Sequence, residues 1–524
     1  MTIRTSRRPG AWIMALGALA GCGGEEAFSL QLGNTERSLD GEAVARLANE
    51  KHMQGSLSVV GDIDGDGIDD AVITTISMTV LHRGTPQAIL VEDGQAYVVY
   101  GGSQLHGGID LASLPSLTSP SFSSGKVAAV GDVDGDGLAD FLVAATGGFD
   151  CSTSHSGVYL VYGSHTRLTG ATPIASAAAF LSDPAVCTDA THMAALGDFD
   201  GDGKDDFALG RGIVSNLPAN QPPDPNEVLV FYGRGARLSG TLDLLATADA
   251  TIVEPASSLV APFLVGAGDV DGDGRGDLIV STNLGSPLSD WHMEMRLVTG
   301  SATRLAGKVA LGDVAHTRLP DNACVPPDTG AGSGLGDVDG DGADDFSLIA
   351  CDTPLSNRVH QVFYGHPGGL PAQIAGADAT LHPSIDDFQS GNFSQLIGGD
   401  VDGDGKSDLV LADESLRGSQ GGVHLIRGGA NRLSGNIDPI AQSYLTYVGQ
   451  PFRMERCSGP GGDGPGSCTR PELAGAGVSV GDLTGDHHAD LILDARLLVQ
   501  ENDDGDLISP SRTYLVSPFG DRGP

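Results

Sequence analysis

The chain has 524 residues, 77 of them glycine and two tryptophan, with 29 basic against 68 acidic side chains and a formal net charge of -39. Acid on this scale excludes nucleic acid and anionic lipid headgroups as partners, because the phosphate contacts that dominate such affinity need Lys and Arg. Abundant glycine and sparse aromatic residues point to turns and short strands, and so to an all-β protein.

The first element is an export signal. Arg4, Arg7 and Arg8 precede an apolar run from Ala11 to Ala20, which is too short for a stable membrane span. Leu19-Ala20-Gly21-Cys22 resembles the lipobox of bacterial lipoproteins. That resemblance implies a signal peptide over 1–21, lipidation of Cys22, a tether over 22–27, and an exported cell-envelope protein. It would be an outer-membrane lipoprotein facing the periplasm or the outside, touching the membrane by its lipid anchor only. The alternative is an ordinary signal peptide cut at a small residue, with Cys22 incidental.

From residue 28 onward the chain is repetitive. One motif recurs seven times: GDIDGDGIDDAVI from Gly61, GDVDGDGLADFLV from Gly131, GDFDGDGKDDFAL from Gly197, GDVDGDGRGDLIV from Gly268, GDVDGDGADDFSL from Gly336, GDVDGDGKSDLVL from Gly399 and GDLTGDHHADLIL from Gly481. The copies start 63 to 82 residues apart. Short strand-like segments flank each copy, such as Leu57 to Val60 before the first and Ala71 to Thr74 after it, so each motif joins the two strands of a hairpin. A third strand ends at Tyr-Gly or a variant near Gly101, Gly163, Gly233 and Gly365, and a fourth is expected after the R-L-x-G turns at Arg167, Arg237 and Arg432. Seven such units predict a seven-bladed β-propeller of four-stranded antiparallel blades over 28–520.

The spacing of acids inside the motif carries its chemistry. Carboxylates at positions 1, 3, 5 and 9, with a backbone carbonyl at position 7, match the six to eight hard oxygens that Ca²⁺ takes. The loops at 62–70, 132–140, 198–206, 269–277, 337–345, 400–408 and 482–490 place 27 of the 68 acids at these four positions. The candidate ligands are Asp62, Asp64, Asp66 and Asp70 with the Ile68 carbonyl, and Asp132, Asp134, Asp136 and Asp140 with Leu138. Next come Asp198, Asp200, Asp202 and Asp206 with Lys204, and Asp269, Asp271, Asp273 and Asp277 with Arg275. Then follow Asp337, Asp339, Asp341 and Asp345 with Ala343, and Asp400, Asp402, Asp404 and Asp408 with Lys406. The seventh loop is worn: Thr484 stands at position 3 and His487 at position 6, leaving Asp482, Thr484, Asp486, Asp490 and the His488 carbonyl. The expected cofactor is therefore Ca²⁺ at six complete loops, with the seventh open.

An EF-hand would need Glu at position 12, where these loops carry Ile73, Val143, Leu209, Val280, Leu348, Leu411 and Leu493. Arg275-Gly276-Asp277 spells an adhesion tripeptide, yet it falls at positions 7 to 9 of the fourth loop, which reassigns its Asp to the cation. Gly312-Asp313-Val314-Ala315-His316 begins like a loop, lacks every later carboxylate and reads as a strand end.

These units resemble FG-GAP repeats, the calcium-carrying repeats of integrin α-subunit propellers and of many bacterial surface proteins. The resemblance implies calcium loops between strands one and two of every blade, all on one face. It also implies ring closure by an N-terminal strand, for which 28–32 is the candidate. Six cysteines remain after Cys22, and the same resemblance places all of them on the opposite face. It suggests the pairs Cys151 with Cys187, Cys324 with Cys351 and Cys457 with Cys468, each stabilising by roughly 2 to 4 kcal/mol at best. The sequence leaves the connectivity open.

The function implied is adhesion or recognition of a protein or glycan ligand on that stapled face. The alternative is a carbohydrate-active enzyme or lectin acting on polysaccharide. The sequence holds no H-E-x-x-H helix or phosphate-binding loop, so no catalytic residue is assigned and a non-enzymatic role is expected.

Overall fold

The computed structural model describes residues 35–49, 53–80, 90–119, 126–145, 157–182, 192–212, 226–254, 262–283, 293–320, 332–351, 358–382, 393–414, 416, 421–449, 473–496, 500–501, 507–508 and 511–519. Seven small sheets follow one another in chain order as the blades of a β-propeller. No helix among the described residues is long and apolar enough to cross a membrane.

The second blade shows how the pattern makes the sheet. Its inner strand Val127–Gly131 turns back through the acidic loop into Asp140–Ala145, which pairs antiparallel with Gly157–Val161 and then Ala178–Ser182. The second and third strands are buried at every residue because each blade is covered on both faces by its neighbours. Inner strands alternate instead, as in Phe263–Gly268, where every other residue is buried. Core clusters straddle blades: Val72 and Val98 of the first pack with Phe141, Val143 and Tyr159 of the second. The position-12 residues sit in second strands, with Ile73, Val143, Val280, Leu411 and Leu493 fully buried, as a strand rather than an EF-hand demands.

Six blades gain a fifth strand among the described residues, and it runs parallel. The strands following the R-L-x-G turns are these fifth strands and not the expected fourth ones. Ala171–Pro173 joins the first blade, Gly240–Asp243 the second and Gly435–Ile437 the fifth. Each then passes through a single helical turn before the unit contributes its own fourth strand, such as Ala178–Ser182, Ala250–Val253 or Leu445–Val448. The Gly312 stretch belongs to the same device. It lies in the helical turn Leu311–Val314 and just beyond it, rather than at the end of a strand.

The N-terminal segment closes the ring by this module too. Thr35–Ser38 adds a parallel strand to the sixth blade, the turn Leu39–Glu42 follows, and Ala45–Asn49 pairs antiparallel with Ser511–Val516 as the fourth strand of the seventh blade. The closing strand is thus 45–49, whereas the expected 28–32 lies outside the described residues. The apolar run at 28–32 misled because a fourth strand needs only alternate buried residues, here Ala45 and Leu47. Between inner strands, the Val59 N–H donates to Ser479 Oγ at 2.9 Å, joining first blade to last.

Candidate metal centre

Each acidic loop folds around its own first carboxylate. Asp62 Oδ1 accepts the Gly65 N–H at 2.6 Å and the Asp66 N–H at 3.2 Å, while Oδ2 accepts the Gly67 N–H at 2.8 Å. This tight turn requires left-handed backbone at positions 4 and 6, where Gly65 and Gly67 have φ of 82° and 86°. The worn loop keeps the shape at a cost: His487, φ 68°, is the one non-glycine with positive φ among the described residues.

In loops one to six the position-9 carboxylates are buried and double-anchored. Asp70 Oδ2 accepts the Ile63 N–H at 3.0 Å, and Oδ1 accepts the Gly101 N–H at 2.7 Å, tying the loop to the end of the third strand. Asp140, Asp206, Asp277, Asp345 and Asp408 repeat the arrangement with Gly163, Gly233, Gly300, Gly365 and Gly428. Burial pushes the carboxyls of Asp70, Asp140, Asp206, Asp277 and Asp345 up to about 7, and those of Asp408 and Asp490 up to about 6, against the pull of these donors. The Tyr-Gly signature has a steric reason as well. A Cβ on Gly101 would stand 2.3 Å from the Asp69 carbonyl oxygen.

In five loops three of the four carboxylates converge. Oxygens of Asp62, Asp64 and Asp66, of Asp132, Asp134 and Asp136, and of Asp269, Asp271 and Asp273 lie within 4.8 Å of one another; in loops three and five the trios are Asp198, Asp200, Asp206 and Asp337, Asp339, Asp345. Such all-oxygen clusters fit a hard divalent cation of the calcium type, and no thiolate or imidazole belongs to them. In loop seven, His487 Nδ1 is 3.7 Å from Asp482 Oδ2, and Thr484 replaces a carboxylate. The Arg-Gly-Asp tripeptide is not displayed. Asp277 is completely buried and Arg275 pairs with Asp273, so neither end of the tripeptide is presented for a receptor.

Six junctions between neighbouring loops are also hydrogen-bonded. The position-8 N–H of one loop donates to the position-1 carbonyl of the loop before it: Ala139 to Asp62, Asp205 to Asp132, Gly276 to Asp198, Asp344 to Asp269, Ser407 to Asp337, and Asp69 to Asp482 across the seam.

One set of residues escaped the sequence reading. Arg167, Arg237, Arg304 and Arg432 of the R-L-x-G turns reach back to the position-3 and position-5 carboxylates of the preceding blade. Each guanidinium lies 4.8 to 5.0 Å over the ring of Tyr100, Tyr162, Tyr232 or Tyr364. The tyrosine hydroxyl accepts the N–H of the next leucine, as Tyr100 does from Leu168 at 2.8 Å. The recurrence of R-L-x-G at a fixed distance after the strand-end glycine was the available signal.

Of the cysteines beyond Cys22, Cys351 ends the strand Asp345–Cys351. Cys22, Cys151, Cys187, Cys324, Cys457 and Cys468 lie outside the described residues.

At the opposite end of the inner strands, a cavity of ≈ 680 Å³ opens where all seven begin, lined by Ser56, Lys126, His192, Phe263, Ser333, Gln395 and Ser479 among others.

Fold and loops together define an all-β, seven-bladed propeller with acidic loops gathered at one end. The FG-GAP repeat family matches residues 124–161, which run from the inner strand of the second blade to the end of its third. No curated protein matches the chain in sequence. Among solved structures, rhamnogalacturonan lyase YesW is similar at 13% identity over 91% of both chains, with a TM-score of 0.30. Trypanosoma rangeli sialidase in complex with the inhibitor DANA is similar at 10% identity over 90% of this chain and 58% of that one, with a TM-score of 0.32. At such scores neither chemistry transfers to this chain.

Proposed function

We propose that this protein is a calcium-stabilised binding propeller, held at a bacterial cell envelope by lipid on Cys22, that recognises a protein or glycan ligand on the face away from its acidic loops. The observation that carries the reading is the grouping of the loops: their carboxylates converge, and six junctions between neighbouring loops are hydrogen-bonded. Calcium held in Asp62, Asp64, Asp66 and Asp70 and their counterparts would neutralise carboxylates that otherwise repel one another at close range. It would thereby stiffen one end of the propeller and leave the cavity at the other end free for a ligand.

The carboxylates of positions 1, 3, 5 and 9 would hold the ion with the position-7 carbonyl, position 9 also fixing the loop to its blade. Binding rather than catalysis is assigned because the G-x-S-x-G match at Gly477 to Gly481 lies within the strand Leu473–Gly481, not on a strand-to-helix turn, and its Ser479 Oγ accepts the Val59 N–H. The test pairs a pull-down from envelope extract with a glycan array and a reducing-end assay on the calcium-loaded protein. Saturable capture of one protein or glycan without cleavage supports the reading, and sugar cleavage would overturn it.

A further inference from the structure

The loops differ in how the position-3 side chain is satisfied. In loops one, two, three and five, its Oδ1 accepts the position-5 N–H, at 3.2 Å for Asp64, 3.2 Å for Asp134, 3.0 Å for Asp200 and 3.0 Å for Asp339. Its Oδ2 is taken by an arginine of the next unit, Arg167, Arg237, Arg304 or Arg432. The same guanidinium spans to Oδ2 of position 5, for example Arg167 to Asp66 at 2.6 Å and Arg432 to Asp341 at 2.6 Å. Stacking on tyrosine holds each fork in place from behind.

Loops four and six lack this fork. Gly369 stands where the fourth loop's arginine would come from, and Arg427 reaches Asp402 alone, at 3.0 Å, from within the same blade. In these two loops Asp271 Oδ1 and Asp402 Oδ1 are buried with no hydrogen-bond partner among the described residues. A buried carboxylate oxygen left without a donor is costly, and a cation satisfies it.

Resting on the calcium reading above, we propose that Arg167, Arg237, Arg304 and Arg432 are built-in counter-ions that compete with calcium, so that the propeller carries two classes of cation site. Loops four and six offer the ion an unpartnered position-3 oxygen, and there it meets only the single contacts of Arg275 to Asp273, Lys406 to Asp404 and Arg427 to Asp402 in place of a two-pronged fork. Loops one, two, three and five take it only by displacing a guanidinium from two of the same oxygens, since a bidentate charged fork and a six- to eight-oxygen shell draw on one set of acceptors. At low calcium the forks also neutralise part of the acid and bridge four blade junctions. Loop seven, with Thr484 at position 3, falls in neither class.

The experiment is a calorimetric calcium titration of the full chain, with melting curves in calcium and in chelator. Wild type should show two tight sites and a group at least tenfold weaker. Arg167→Gln, Arg237→Gln, Arg304→Gln and Arg432→Gln should each move one site from the weak class to the tight class and lower the midpoint in chelator more than in calcium. A merely structural arginine would not raise calcium affinity when removed. Asp402→Asn, with every fork intact, should delete one tight site and leave the weak class unchanged, which keeps the test open if an arginine variant misfolds. A single class of sites in wild type, or arginine variants that bind calcium no tighter, would overturn the competition. Wild type and variants alike free of bound calcium would remove the calcium reading and this inference together.

Discussion

Asp69 and Asp482, 413 residues apart, close the ring of loops: Asp69 Oδ2 accepts the Asp482 N–H at 2.9 Å, and the Asp69 N–H donates to the Asp482 carbonyl at 3.0 Å. Asp205 makes the same contact to Asp132, and Asp344 to Asp269. Position 8 therefore serves the neighbouring blade and not its own loop.

Burial, with Asp482 and Asp62 nearby, raises the Asp69 carboxyl above its ordinary value. Asp69→Asn keeps an acceptor and removes the opposed charge, so it should melt at or near the wild-type midpoint. Asp69→Ala leaves the Asp482 N–H without its acceptor and should cost about 1–3 kcal/mol. Thermal melts of the two variants check the ordering.

The tyrosine supports are testable singly. Tyr364→Phe keeps the ring under Arg432 but removes the acceptor of the Leu433 N–H, now bonded at 2.8 Å. The expected loss is about 1–3 kcal/mol, read as a lower midpoint. A wild-type midpoint would mean that the hydroxyl carries no load.

A buried acid away from the loops gives a pH signature. Burial pushes the Glu254 carboxyl up to about 7, although the Thr282 hydroxyl donates to it at 2.8 Å. The folded protein thus holds this proton to higher pH than the unfolded chain does. Its contribution is fully present below pH 4.5, the ordinary value, and stability falls as pH rises from there through about 7. Glu254→Gln should flatten that part of the stability–pH curve, and an unchanged slope would refute the assignment.

His487 stores strain in loop seven. Replacing it with glycine, as in the other six loops, relieves a left-handed backbone at the cost of about 1 kcal/mol of chain entropy. His487→Gly should raise calcium uptake by that loop, measured as stoichiometry against wild type.

Much of this molecule was legible because its motif is local. Asp62 to Asp70 carries ligand spacing, turn glycines and flanking strands within a dozen residues, and Tyr-Gly marks the third strand's end. What escaped was relational. A three-residue strand such as Ala171–Pro173 pairs with the preceding blade, and nothing in its own sequence names that partner. The closing strand Ala45–Asn49 was masked by a more apolar run upstream. Arg167 reads as a turn residue until Asp64 and Tyr100, 103 and 67 positions earlier, are seen beside it.

The central claim is that calcium in the acidic loops stabilises the propeller. A ligand that binds only the folded state at 100 times its Kd adds about 2.7 kcal/mol per site. The direct measurement is a thermal melt of the full chain in calcium and in EDTA, with elemental analysis of the purified protein. The account predicts bound calcium and a clearly lower midpoint after chelation; a midpoint indifferent to EDTA, with no calcium in the protein, would contradict it.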